Sequence, residues 1–136
     1  MANRYKRSDV LRALCNMMQG VGEEVYTSNR PTVKDTTEKF VVVRLPQGIS
    51  PESDLHNTAY VQLHLYYKDR VNGIEHVERG EEMTEDAIGS IKRDLVKGGA
   101  YGDWLRCNEE PVQLEAKSDS MGYHVCVIQF KIVILV

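Results

Sequence analysis

The chain has 136 residues, with 17 Lys plus Arg against 20 Asp plus Glu and 42% hydrophobic residues. That length gives a single domain, residues 1–136, and that composition is too apolar for a disordered chain. A net charge of -3 removes the broad attraction to phosphates on which nucleic-acid binders rely, so no direct nucleic-acid binding is expected. The longest apolar run, residues 132–136, is far short of the roughly 20 residues of a membrane-spanning helix, and no membrane association is expected. The basic opening, with Arg4, Lys6 and Arg7, is not followed by the apolar stretch of an export signal. Cys15, Cys107 and Cys126 lack CxxC spacing, which reads as reduced thiols of a cytoplasmic protein and argues against a disulfide framework or a zinc site.

In chain order, Ser8 has the chemistry of a helix N-cap, and Val10, Leu11, Leu14, Met17 and Met18 share one helical face behind it. A helix over residues 8–18 is predicted, stopped by Gly20 and Gly22. Residues 24–28 read as a short strand ended by Asn29-Arg30-Pro31, and the β-branched run at 40–45 as a buried strand. Residues 49–57, with Pro51 and several turn formers, read as an exposed loop. From 58 to 68 one parity gives Val61, Leu63, Leu65 and Tyr67 for a core. The other gives Tyr60, Gln62, His64, Tyr66 and Lys68 for water or a partner.

Residues 69–80 hold the turn signal Asn72-Gly73 and form either a small hairpin or an irregular loop. Met83, Ala87, Ile88, Ile91 and Leu95 mark a second amphipathic helix, acidic at its start and basic near its end, stopped by Gly98-Gly99. Residues 100–111 form a polar connection carrying Tyr101, Trp104 and Leu105. A closing hairpin pairs the alternating row Val112, Leu114 and Ala116, through a turn at 118–122, with a strand at 123–135. That last strand puts Cys126, Ile128, Phe130, Ile132 and Ile134 on its core side, and its apolar end at Val136 suits a place inside the sheet or against a partner. The order is α-β-β-β-α-β-β: an α+β fold with two helices packed on one face of a mostly antiparallel sheet.

No set of residues assembles a catalytic, metal or cofactor site. His56, His64, His76 and His124 include no HxH or HExxH pair. Cys15 and Cys126 fall on apolar faces, where a thiol behaves as a small hydrophobe. Cys107 sits beside Arg106 without a histidine to activate it. The glycine-rich stretch at 98–102 follows a helix, whereas a phosphate cradle precedes one. Binding is the better expectation. Tyr60, His64 and Tyr66 share the outward parity of the long strand, and Trp104 lies in a polar segment, so these four are the candidate residues for an oligomer or partner interface. The basic N-terminus is either a docking arm or a solubilising end.

The opening amphipathic helix, the string from Val25 to Pro31, the strand at 40–45, the long strand ending Leu65-Tyr66-Tyr67-Lys68-Asp69, the second helix and the closing hairpin together resemble the tail terminator, or tail completion, proteins of tailed bacteriophages. The resemblance spans residues 8–136 and rests on element order and loose strings, with no catalytic signature. It implies a virion structural protein, encoded by a phage or prophage and placed at the head–tail interface after assembly in the host cytoplasm. It implies a homo-oligomeric ring, hexameric in that family, which caps the tail tube protein, stops its polymerisation and offers a docking surface to the head–tail connector protein. No chemistry and no cofactor are implied. Three alternatives remain. One is a small ligand-binding or enzymatic α+β domain using Cys107 and His64; another is an adaptor that forms no ring. The third, a double-stranded RNA-binding domain, shares the helix, three strands and helix, but has lysines where Gly80-Glu81-Glu82 stands here.

Overall fold

The computed structural model describes residues 5–27, 29–52, 55–96, 101, 104–119 and 121–135. Helix α1 (Arg7–Met17) starts slightly earlier than predicted, because Asp9 and not Ser8 supplies the terminal bond, accepting from the Lys6 backbone N–H at 2.8 Å. Its buried face is Val10, Ala13, Leu14 and Met17. Strands β1 (Glu24–Thr27) and β2 (Lys39–Arg44) follow and pair in parallel.

The stretch predicted as a loop at 49–57 instead holds a short strand β3 (Ile49–Pro51). It pairs antiparallel with Asn57 to Ala59, so the long strand β4 (His56–Lys68) begins earlier than its apolar alternation signals. Turn-forming residues had disguised a pairing that only the neighbouring strand makes available.

Residues 69–76 settle as an irregular loop. A single 3-10 turn (Val71–Gly73) carries Asn72 and Gly73 at φ 69° and 73°, and Arg70 N–H donates to the Ile74 carbonyl across it at 2.7 Å. Helix α2 (Val77–Ile91) begins ahead of the acidic residues that suggested its start, because the His76 ring accepts from the Arg79 N–H. It ends in a π-helical turn (Lys92–Val96) that brings the Leu95 carbonyl to the Cys107 N–H. The predicted stop at Gly98-Gly99 lies outside the described residues.

The polar connection after it contains an unpredicted strand β5 (Leu105–Arg106), paired with Val133 and Ile134. The first arm of the closing hairpin is broken into β6 (Val112–Gln113) and β7 (Lys117–Asp119), both paired with β8 (Tyr123–Leu135). Its apolar row does not reach the core: Val112 and Leu114 stay exposed. The chain is therefore α+β as expected, with more strands than the predicted order counted and one parallel pair in a mixed sheet ordered β1-β2-β4-β8-β5.

Both helices lie on one face of this sheet. Val10, Leu14 and Met17 of α1 and Met83, Ala87 and Ile91 of α2 share a core with Val61, Leu63, Leu65 and Tyr67 of β4 and with Cys126, Ile128, Phe130, Ile132 and Ile134 of β8. The predicted core parities of the two long strands are those observed. A smaller cluster of Phe40, Val42, Tyr66 and Tyr123 lies on the opposite face, with Tyr26, Val33 and Val125 packed against it.

At one point the helix layer and the sheet meet without slack. A Cβ on Gly80 would stand 2.6 Å from Cζ of Tyr67, whose ring is buried and whose hydroxyl donates to Glu75 at 2.7 Å. The ring cannot retreat, so the close approach of α2 to β4 requires glycine. Gly80→Ala is expected to destabilise the fold by about 1–3 kcal/mol despite alanine's better helix propensity, read as a lower urea midpoint.

Candidate functional site

Pairing of β4 with β8 sets side chains of the second sheet face opposite one another: Tyr60 with Lys131, Gln62 with Gln129, His64 with Val127 and Tyr66 with Val125. The two glutamines are bonded, Gln62 Nε2 donating to Gln129 Oε1 at 3.0 Å, and His64 Nε2 lies 3.1 Å from Gln62 Oε1. The Lys131 ammonium stands 5.9 Å from the Tyr60 ring centre, which is 40% exposed. In this row Tyr60 is exposed and Gln62, His64, Gln129 and Lys131 are half-buried; Lys131 stands 3.9 Å from a Glu52 oxygen, and Asn108 and Glu109 line a small pocket beside it.

His64 is the electrostatically perturbed member of the row. Burial between strands, reinforced by the Arg44 charge, lowers its pKa to about 4, so the ring is neutral at pH 7. In the unfolded chain a histidine takes up a proton near pH 6.5. The folded chain refuses that proton, so the contribution of this site is complete above about pH 6.5 and is lost as the pH falls toward 4. We expect His64→Gln to flatten the acid limb of stability across that window in urea melts at graded pH, while wild type and variant keep the same slope above pH 7.

Tyr66, expected to face water or a partner, is buried by its own chain, which is why sequence parity alone misplaced it. Its ring stacks on Phe40 at 4.6 Å, and Tyr123 meets Phe40 edge-on at 5.5 Å. The Arg30 guanidinium sits 5.3–5.5 Å from the centres of all three rings. Nε and Nη2 of Arg30 donate to Oδ2 of Asp119 at 3.1 and 2.9 Å, and its other nitrogen donates to the Pro31 carbonyl. Tyr123 donates to the Thr37 carbonyl at 2.6 Å. Arg30 and Thr37 thus pin the connection between β1 and β2 onto one half of the sheet face. Nothing in the local sequence around Arg30 signals this role; the aromatic partners come from three separate strands. Arg30→Ala is expected to cost about 2–3 kcal/mol by calorimetry or urea melts, with Arg30→Lys recovering only part, because lysine keeps the charge and loses the planar fork.

Trp104 belongs to the other face. Its ring stacks on Tyr5 at 4.1 Å and meets Tyr101 edge-on at 6.3 Å, forming a shallow pocket of about 190 Å³ with Asp9, Arg12 and Asn16 of α1. The four candidate interface residues therefore do not form one patch. Tyr60 and His64 lie together, Tyr66 lies under Arg30, and Trp104 packs against the N-terminal end of the helix layer.

Cys107, expected in a polar loop, is buried in the helix-side core, and its thiol donates to the Glu109 carbonyl at 3.1 Å. Burial is the largest influence on that thiol and raises its pKa, away from the thiolate a nucleophile needs. A pocket of about 330 Å³ lies beside it, lined by Lys92, Val96, Glu109, Glu110 and Pro111. The sheet stands between Cys107 and His64, so the pair proposed for small-domain chemistry is not brought together. Among the described residues no group of three or more His, Cys, Asp or Glu is placed to hold a metal ion.

A group the sequence reading did not single out closes the far end of the sheet. Asp69, Glu75 and His124 meet there, with Tyr67 directly opposite His124 in the strand register. Only tertiary pairing joins them, since His124 lies 55 residues from Asp69. Burial and the Glu75 bond both push the Tyr67 hydroxyl pKa well above the usual phenol value, so it stays a donor.

Compared with known proteins, the chain matches no protein-family model and no curated sequence.

Proposed function

We propose that the chain is a non-catalytic structural protein of the tail-terminator kind. In this reading it closes into a homo-oligomeric ring, six-fold as in that family, at the head–tail interface of a virion. The ring caps the tail tube protein, stops its polymerisation and gives the head–tail connector protein a surface to dock on.

The observation that carries the reading is the inequality of the two sheet faces. One is sealed by both helices, whereas the other is packed closely over the Arg30 half and, beyond it, leaves Tyr60 exposed and Gln62, His64, Gln129 and Lys131 half-buried. A closed ring needs a heterologous contact, in which one patch meets a different patch on the next subunit, and a domain whose surfaces differ in this way supplies unlike patches. The row suits such a contact because it mixes an exposed aromatic ring with satisfied amide groups and a lysine already paired with Glu52. The two helices and the long strands that took part in the resemblance are present, although β3 and β5 are added and the first hairpin arm is split into β6 and β7.

Light scattering across concentration, with negative-stain images, tests it. The expected result is a species of about six subunits with a central hole, and Tyr60→Asp is expected to reduce that mass toward the monomer without lowering the melting temperature. A strict monomer that also fails to stop polymerisation of tail-tube protein would end the reading.

A further inference from the structure

The loop between β4 and α2 is held at its two ends by different means. At its start, Asp69 N–H donates to the Gly122 carbonyl at 2.9 Å, tying it to the turn before β8. At its end the attachment is made by one side chain, Glu75. One Glu75 oxygen accepts from Tyr67 at 2.7 Å, and the other stands 3.8 Å from Nε2 of His124. The opposite ring nitrogen of His124, Nδ1, lies 2.5 Å from Oδ1 of Asp69. Between these anchors Val71 and Ile74 are exposed, as is Val77 at the start of α2.

A histidine with a carboxylate at each nitrogen has an uneven hydrogen-bonding capacity. The imidazolium carries two N–H groups, one bonded to Asp69 and the other facing Glu75 at 3.8 Å, an ion-pair distance beyond hydrogen-bond reach. The neutral ring carries one. With that proton kept on Nδ1, toward the closer Asp69, the Nε2 lone pair faces the Glu75 carboxylate, and attraction at that side turns into repulsion. Separation of the carboxylates on opposite sides of the ring also excludes a shared metal ion, since no single point lies within bonding reach of all three groups.

We propose that His124 is a proton-operated clasp: its imidazolium reinforces the Tyr67 bond in holding Glu75, and with it the loop at 70–76, against the end of the sheet, and loss of the ring proton loosens that end of the loop.

The surroundings leave this exchange to the three residues. From β4 the ring faces Tyr67 and Asp69, and from the loop Glu75. From β7 its register partner is the uncharged Ser118. Of the residues flanking Ser118, Lys117 is exposed and Asp119 is taken by Arg30 on the other face. At the start of α2, Arg70 and Glu78 face each other at 4.0 Å, and Arg79 pairs with Glu38 at 2.6 Å. The inference concerns how the loop is held and stands whether or not the ring reading holds.

Amide hydrogen exchange of the full-length protein, followed by NMR alongside the His124 ring signals from pH 5 to 9, tests it. The reporter is the Arg70 N–H, bonded to Ile74 across the loop. Its protection factor, corrected for the intrinsic pH dependence of exchange, is expected to fall about two- to fivefold as the ring loses its proton, in line with one partly exposed ion pair. In His124→Gln the step is expected to vanish. Glu75→Gln, which keeps an acceptor for Tyr67 and removes the charge, is expected to reduce it, and this variant decides the matter if His124→Gln does not fold. Equal protection on both sides of the ring titration, or a full step persisting in either folded variant, would overturn the proposal.

Discussion

Everything in this protein hangs on one ladder. β4 and β8 pair antiparallel over their whole lengths, from His56 opposite Leu135 to Lys68 opposite Tyr123. Alternation along two such strands assigns each side chain to one face for the full span, and a slip of one residue would move every core residue of a strand into water. β2 and β3 add to the outer edge of β4, while β5, β6 and β7 add to the outer edge of β8. The helices then cover the face on which the ladder has placed its aliphatic residues. Because β6 and β7 are short and interrupted, the β8 edge offers no long run of free backbone for edge-to-edge pairing.

The second face shows how the same ladder creates unlike surfaces. Near the Tyr66 end the connection between β1 and β2 folds over the sheet, and the cation of Arg30 fills the space between Phe40, Tyr66 and Tyr123 while bonding to Asp119. The arginine is partly desolvated, but its plane, its charge and its fork each find a partner, so the desolvation is offset. Near the Tyr60 end the polar groups satisfy one another through Gln62, Gln129 and His64, and Lys131 pairs with Glu52. A surface whose polar atoms are already bonded loses little on desolvation when a second protein covers it. This is why an assembly role suits the open half better than the packed half.

Two histidines on neighbouring strands show what the faces do to the same side chain. His64 points to the open face, where burial and a nearby arginine hold it neutral. His124 points the other way, at the sheet end, and stands between two carboxylates. The difference arises from parity and from which loop reaches each strand end. The two sheet faces thus give the same side chain one place beside an arginine and one between two carboxylates.

Elements whose own alternation or periodicity matched their burial were legible in the sequence. The core parities of β4 and β8, the apolar faces of both helices and the α+β class follow from side-chain spacing, because burial selects for that spacing directly. Tyr60 and His64 were legible as outward residues of one strand for the same reason. The sequence alone also determined composition and charge. Tertiary structure decided what depends on a neighbour distant in the chain. β3 and β5 form because β4 and β8 offer them hydrogen-bonding edges, and Tyr66 is buried because Arg30 reaches across the sheet to it. Cys107 is core because β5 carries it to the π-helical turn after α2, where its N–H meets the Leu95 carbonyl. Asp69, Glu75 and His124 become one group only when the long ladder closes, since local sequence records the chemistry of each residue and only the fold supplies the distance between them.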